Sequence, residues 1–309
     1  MFYHFYCRYE QIYLNEYNQP FIIKKMAIVG IYLFLIITGY YLMPREKIET
    51  KQYLKSKLMK IYPLYLMSII IIYISSFSGY LGAEREVNFV SFLANVFMIN
   101  GFINIPYVDG SHWYLTYMIV FILIASLILF IDKKYSYYTY LILLVINLFL
   151  CLVCKLNNNI VLQELMILSG GVYTPIVTIG IIMRNNIDGK FTMKKTRIII
   201  LVSCISIYIV NGLFNFICAI IVAYIVWNAI NNRFSKLDGC KCIISIGNIS
   251  YIIYLIHQNI GYMIMNYLNL NFRIDIISLV SITIILIISL SYIMNYIENN
   301  MKKIIKINV

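Results

Sequence analysis

The chain has 309 residues, of which 61% are hydrophobic and 12% charged, with a mean hydropathy of +0.81. Soluble domains carry roughly 25% charged residues, so a water-soluble globule is excluded. A net charge of +12 would suggest a nucleic-acid partner in a soluble protein, but in so apolar a chain it points to basic cytoplasmic loops.

In chain order, residues 1–25 form an outer segment that opens Met1-Phe-Tyr-His4-Phe-Tyr6. Apolar runs near the bilayer-spanning length of about 20 residues follow. They are Met26–Met43, Lys60–Tyr80, Trp113–Ile131, Tyr137–Cys154, Leu162–Met183, Ile198–Val210, Leu213–Ala229, Ile244–Leu268 and Ile274–Ile297. A shorter stretch, Val90–Ile105, is interrupted by Asn95, Asn100, Gly101 and Asn104. It reads as a re-entrant or interfacial piece. The alternating segments of a β-barrel are not visible. The expected fold class is all-α: a polytopic transmembrane helix bundle of about nine complete spans, forming a single integral-membrane domain over 1–309.

Loop charge sets the expected orientation. Of the 25 basic residues, 19 fall on alternate loops: residues 45–60, 133–134, 184–197, 233–241 and 302–306. That places these loops and the C-terminus in the cytoplasm. Nine spans then leave residues 1–25 outside, with no signal sequence before them. Met1–Tyr6 also reads as the end of an apolar helix. Both features predict a tenth, N-terminal span that is mostly missing here.

Seven cysteines are present, five of them in or beside apolar runs. They read as small apolar filler, with no disulfide framework and no metal site expected. The histidines are only three: His4, His112 and His257. His4 is, by position alone, a tail residue. His112 precedes Trp113, Tyr114 and Tyr117 at an outer helix end, where aromatic residues commonly anchor a span. His257 lies inside a span. Ser250, Tyr254, His257 and Gly261 are spaced to share one face of a helix, and an ionisable residue at membrane depth faces the bundle interior. Both an interhelical hydrogen bond and a cavity lining fit that placement. Lys57 and Lys60 are one turn apart, as ordinary positive-inside charge or as a phosphate-binding pair. Glu298 stands four residues before Lys302, the spacing of a helical ion pair.

Several pieces recur in a familiar order. One span ends Phe34-Leu-Ile-Ile-Thr38-Gly39-Tyr40-Tyr41, and the next starts Lys57-Leu-Met-Lys60-Ile-Tyr62-Pro63. Then come His112-Trp113-Tyr114-Leu115, Gly247-Asn-Ile-Ser250-Tyr251-Ile-Ile-Tyr254-Leu-Ile-His257 and a closing Tyr296-Ile-Glu298. This set resembles the integral-membrane acyltransferase-3 family of cell-surface sugar O-acyltransferases.

The resemblance implies an O-acyltransferase, taken as an acetyltransferase, with no bound cofactor. It would move the acyl group from acyl-CoA on the cytoplasmic side to a hydroxyl of a cell-surface polysaccharide or its lipid-linked precursor. His4 matches the family's catalytic histidine. The basic residue about ten positions before that histidine in the family would fall ahead of Met1. Lys57 and Lys60 stand where the family has coenzyme A-binding arginines. His112, Trp113, Ser250, Tyr254 and His257 would line the acceptor site or the acyl-transfer cavity. The alternative function is a polysaccharide flippase or polymerase of the envelope. The longest outer loop, 81–112, holds one arginine, whereas a polymerase has larger loops with several. The internal repeats and matching Gly/Pro-broken helices of a transporter are not visible.

Overall fold

The computed structural model describes all residues except 15–20, 45–47, 83, 84, 86, 132–135, 158, 236–238 and 306–309. Of the basic residues behind the orientation argument, Arg45, Lys47, Lys133, Lys134, Lys236 and Lys306 lie outside the described residues. Every described regular element is helical, and the fold class is all-α. The α-helices are α1 (Phe21–Leu42), α2 (Thr50–Ser76), α3 (Phe89–Val96), α4 (Trp113–Ile131), α5 (Ser136–Leu156) and α6 (Ile160–Leu168). They continue with α7 (Thr174–Ile187), α8 (Met193–Asn211), α9 (Leu213–Ile230), α10 (Lys241–Ile256), α11 (Asn259–Phe272) and α12 (Ile276–Ile305).

Among the described residues, six helical segments are long and apolar enough to cross a membrane: Thr50–Ser76, Gly110–Phe130, Tyr138–Leu156, Ile160–Ile187, Leu213–Ile230 and Ile276–Lys303. Ala27–Leu42 and Lys241–Ile256 are apolar but shorter. The protein is an integral membrane protein.

Two expected spans are each two helices. Leu162–Met183 breaks between α6 and α7, where Gly170 and Gly171 take φ of +88° and +57°. A side chain on Gly170 would run into Thr174 Oγ1 and Phe121, so glycine fits there for both reasons. Breaking a helix at membrane depth frees carbonyls that need new donors. Asn147 on α5 supplies one, donating Nδ2–H to the Gly171 carbonyl at 2.8 Å and to Ser169 Oγ at 2.8 Å. Thr174 Oγ1 donates to the Ser169 carbonyl at 2.6 Å. The second break divides Ile244–Leu268 at His257–Gln258, between α10 and α11.

The interrupted stretch 90–105 holds only the eight-residue α3, capped by Asn88 Oδ1 on the Ser91 N–H at 2.7 Å. Turns follow, with Met98 and Asn104 at φ of 56° and 52°. Helix α8 starts earlier than its apolar run because Thr192 caps it.

The chain forms two compact units. Residues 25–55 and 117–235 make one, in which α8 packs against α5, α7 and α9. Within this unit Gly39 on α1 and Gly180 on α7 face each other. A Cβ on Gly39 would meet the Val177 carbonyl oxygen, and one on Gly180 would meet the Ile36 carbonyl oxygen and, at 2.7 Å, the Tyr40 nitrogen. The two backbones touch, as small residues allow in membrane helices. Beside them, Arg184 donates Nη1–H to the Tyr40 hydroxyl at 3.2 Å and pairs with Asp188 at 3.0 Å. The Thr38-Gly39-Tyr40 piece is thus a helix-packing node. Gly180→Leu forces backbone against side chain there, so it should cost at least the 1–3 kcal/mol of about one overpacked core site. A lowered melting temperature in detergent, set against Gly30→Leu, where an added Cβ meets open space, checks this.

The other unit comprises residues 1–24, 56–116 and 236–309. Here α12 packs against α10, α11 and the N-terminal helical turns Tyr3–Arg8. Glu298 and Lys302 on α12 form an ion pair at 2.6 Å.

Candidate functional site

The N-terminal segment is helical from Phe2 to Leu14, with wide i→i+5 turns over Tyr3–Arg8 and Glu10–Leu14. Aromatic residues fix it to α11. Phe5 is fully buried, and its ring occupies the space that a side chain on Gly261 would need. Tyr9, also fully buried, donates its hydroxyl to Asn266 Oδ1 at 2.8 Å, and Tyr13 donates to the Leu81 carbonyl at 2.8 Å. Asn266 Nδ2 in turn donates to the Tyr80 carbonyl at 2.7 Å. Each of these side-chain polar groups is matched, as burial demands.

This docking brings His4 to the α10–α11 break. The His4 and His257 rings lie edge to face with centroids 5.0 Å apart. His4 Nδ1 is 3.4 Å from the Tyr262 hydroxyl, across 258 residues of chain. His257 Nδ1 is 2.8 Å from the Tyr254 carbonyl oxygen. A carbonyl only accepts, so His257 carries its proton on Nδ1 and, when neutral, a lone pair on Nε2. Arg85 stands over the Tyr262 ring at 5.1 Å and donates Nη1–H to Asn259 Oδ1 at 3.3 Å.

The segment Asp109–His112 lies against the same break. In an unbroken helix the carbonyls of Tyr254 and Leu255 would accept from the N–H groups of residues 258 and 259. Here the Leu255 carbonyl accepts from His112 Nε2 at 2.8 Å, and the Tyr254 carbonyl accepts from His257 Nδ1. The Asn259 N–H goes to Asp109 Oδ2 at 2.8 Å. Asp109 Oδ1 accepts from the Ser111 N–H at 2.8 Å and the Ser111 hydroxyl at 2.7 Å. The Tyr254 hydroxyl donates to the Ser111 carbonyl at 2.5 Å. Gly110 gives the close approach: a Cβ on it would be 2.6 Å from Gln258 Nε2.

The expected site residues are thus sorted. His4, His257 and Tyr254 come together. His112 joins them through the Asp109–His112 segment, a wedge in the α10–α11 break, but is 1% exposed, and its Nδ1 has no hydrogen-bond partner among the described residues. It presents no open face to an acceptor, because the end of α10 takes its Nε2 and Tyr65, midway along α2, lies against it with ring centroids 5.4 Å apart. Trp113 is half-buried beside Tyr114. Ser250 does not join the group. It is exposed and turns back to the Gly247 carbonyl at 2.7 Å. It lies about two turns before His257 on the unbroken part of α10, and the break after His257 takes only Gly261 out of the stripe. Gly261 serves instead as the seat of Phe5. Lys57 is half-buried and Lys60 exposed at the polar end of α2. Among the described residues, no group of three or more His, Cys, Asp or Glu side chains is arranged to hold a metal ion.

Tyr262, Asn259 and Asp109 are the residues sequence reasoning missed. Asp109-Gly110-Ser111 carried a visible signal, a side-chain-capped turn before a helix. Nothing local marks Asn259 or Tyr262.

What emerges is a helical membrane protein with a histidine-centred polar site. A family model described as an acyltransferase domain, acyltransferase-3, matches residues 2–296. The chain belongs to that family and is an acyltransferase. No curated protein and no solved structure matches it.

Proposed function

We propose that the protein is a membrane O-acetyltransferase that uses acetyl-CoA to esterify a hydroxyl of an envelope polysaccharide or its lipid-linked precursor. The observation that carries the reading is the convergence of His4 with His257 and Tyr262. A hydroxyl is a poor nucleophile until a base takes its proton, and imidazole suits that task near neutral pH. His4 accepts the hydroxyl proton as the oxygen attacks the thioester carbonyl. The C–O bond forms, the C–S bond breaks, and the proton passes from His4 to the departing coenzyme A sulfur. Tyr262 and His257 hold the His4 ring.

The donor enters from the cytoplasmic side of the bacterial inner membrane, where the basic loops and the C-terminus lie. Lys57 and Lys60 take its phosphates as point charges. Replacing both with Gln should weaken acetyl-CoA binding by about 1–3 kcal/mol, the scale of charged hydrogen bonds. Replacement with Arg should be tolerated. Titration of labelled acetyl-CoA into the solubilised variants measures both. The function itself is tested by thiol release from acetyl-CoA. Membranes bearing the protein should release coenzyme A faster than empty-vector membranes, and equal rates contradict the reading.

A further inference from the structure

We propose that Asp109 is a positioning residue for the histidine pair. The inference rests on the reading of His4 and His257 as the reactive centre. Asp109 is fully buried, and no ion pair is formed with it among the described residues. A buried carboxylate needs compensation, and here dipoles supply it. One oxygen takes the first N–H of α11, a helix end that favours a negative group. The other takes the N–H and hydroxyl of Ser111.

These bonds reach both sides of the break. Through Asn259, Asp109 fixes where α11 begins, two residues after His257. Through Ser111, it fixes the segment whose carbonyl receives the Tyr254 hydroxyl and whose next residue, His112, occupies the Leu255 carbonyl. With Leu255 occupied, the helical ladder does not close over this turn. With the turn open, the Tyr254 carbonyl receives His257 Nδ1–H. That bond selects the His257 tautomer and turns its ring toward His4. Asp109 also tightens the wedge on the donor side. Asn259 Nδ2 donates to the Val108 carbonyl at 2.8 Å, which leaves its Oδ1 for Arg85. One carboxylate therefore sets the start of α11, the tautomer of His257 and the orientation of the Asn259 amide.

Asp109→Asn puts an amide NH2 against one of the donors Asp109 now receives. In 15N-histidine spectra of the full-length protein in nanodiscs, the His257 resonances, assigned by loss in His257→Gln, should lose the Nδ1–H tautomer pattern. Acetyl transfer should fall about tenfold to a hundredfold in kcat, the cost of misplacing a reacting group by about 1 Å, while KM for acetyl-CoA changes less than twofold. Glu298→Gln, the same change of a buried carboxylate on α12, should leave the His257 pattern intact. If Asp109→Asn does not fold, Gly110→Ala displaces the wedge more gently, through its contact with the Gln258 amide, and should shift the same resonances. An unchanged His257 pattern in a folded wedge variant, or an equal change in Glu298→Gln, overturns the proposal. The spectra do not depend on turnover. Absent acetyl transfer in the wild type with the spectral change present would therefore refute the enzymatic reading and leave the positioning role standing.

Discussion

His4→Ala should reduce acetyl transfer by about 10²–10⁴-fold, the range supplied by a positioned general base, while the protein stays folded. The expectation of an intact fold comes from how His4 is held. Among the described residues, the hydrogen-bonding contact of its side chain is the 3.4 Å approach to the Tyr262 hydroxyl. The anchoring of its helix falls to Phe5, Tyr9 and Tyr13, which pack or hydrogen-bond against other elements. Removing the imidazole thus takes away chemistry and little binding of the segment. Melting temperature in detergent and coenzyme A release, measured on the same preparation, separate the two effects. His4→Gln should be as inactive as His4→Ala, since an amide matches part of the hydrogen bonding but cannot take a proton.

Gly261→Leu should abolish transfer by a different route. The added side chain claims the space of the Phe5 ring, so the N-terminal helix cannot seat and His4 leaves His257. Losing the burial of one phenylalanine costs about 3–5 kcal/mol, enough to free a segment of this length. The size-swapped double variant Phe5→Ala with Gly261→Leu restores the volume and should recover part of the activity. Each single change should be worse than the pair. Transfer rates for the three proteins, together with protease sensitivity at Arg8, check the prediction. If Gly261→Leu keeps full activity, the docked N-terminal helix has no part in the reaction.

Much of the helical layout was legible because bilayer-length apolar runs are a strong signal. The α1, α4, α5, α9 and α12 segments sit close to their apolar runs. The breaks were harder to see. Gly170-Gly171 is a visible cue, but the apolar run passes through it, and part of what stabilises the break is Asn147 on a separate helix. The His257 break has no glycine or proline at all. It is held by Asp109, Ser111 and His112, more than 140 residues away in the chain, and single-segment periodicity contains no trace of such a partner. Gly261 leaves the stripe for the same reason, since its place beside Ser250, Tyr254 and His257 assumed a continuous helix. His4 shows the opposite case. Its local sequence says tail, and only the family resemblance singled it out. The Phe5–Gly261 and Tyr9–Asn266 contacts that seat it are long-range. The Thr38-Gly39-Tyr40 piece carried the resemblance before its physical role was apparent, and that role is close packing on Gly180.

The central claim is that the His4 site transfers an acyl group. The most direct measurement follows radiolabel from acetyl-CoA into base-labile ester of the envelope glycan fraction. It compares membranes bearing the wild-type protein with membranes bearing equal amounts of folded His4→Ala. The account predicts ester label in the first and background label in the second. Equal labelling of both would contradict it.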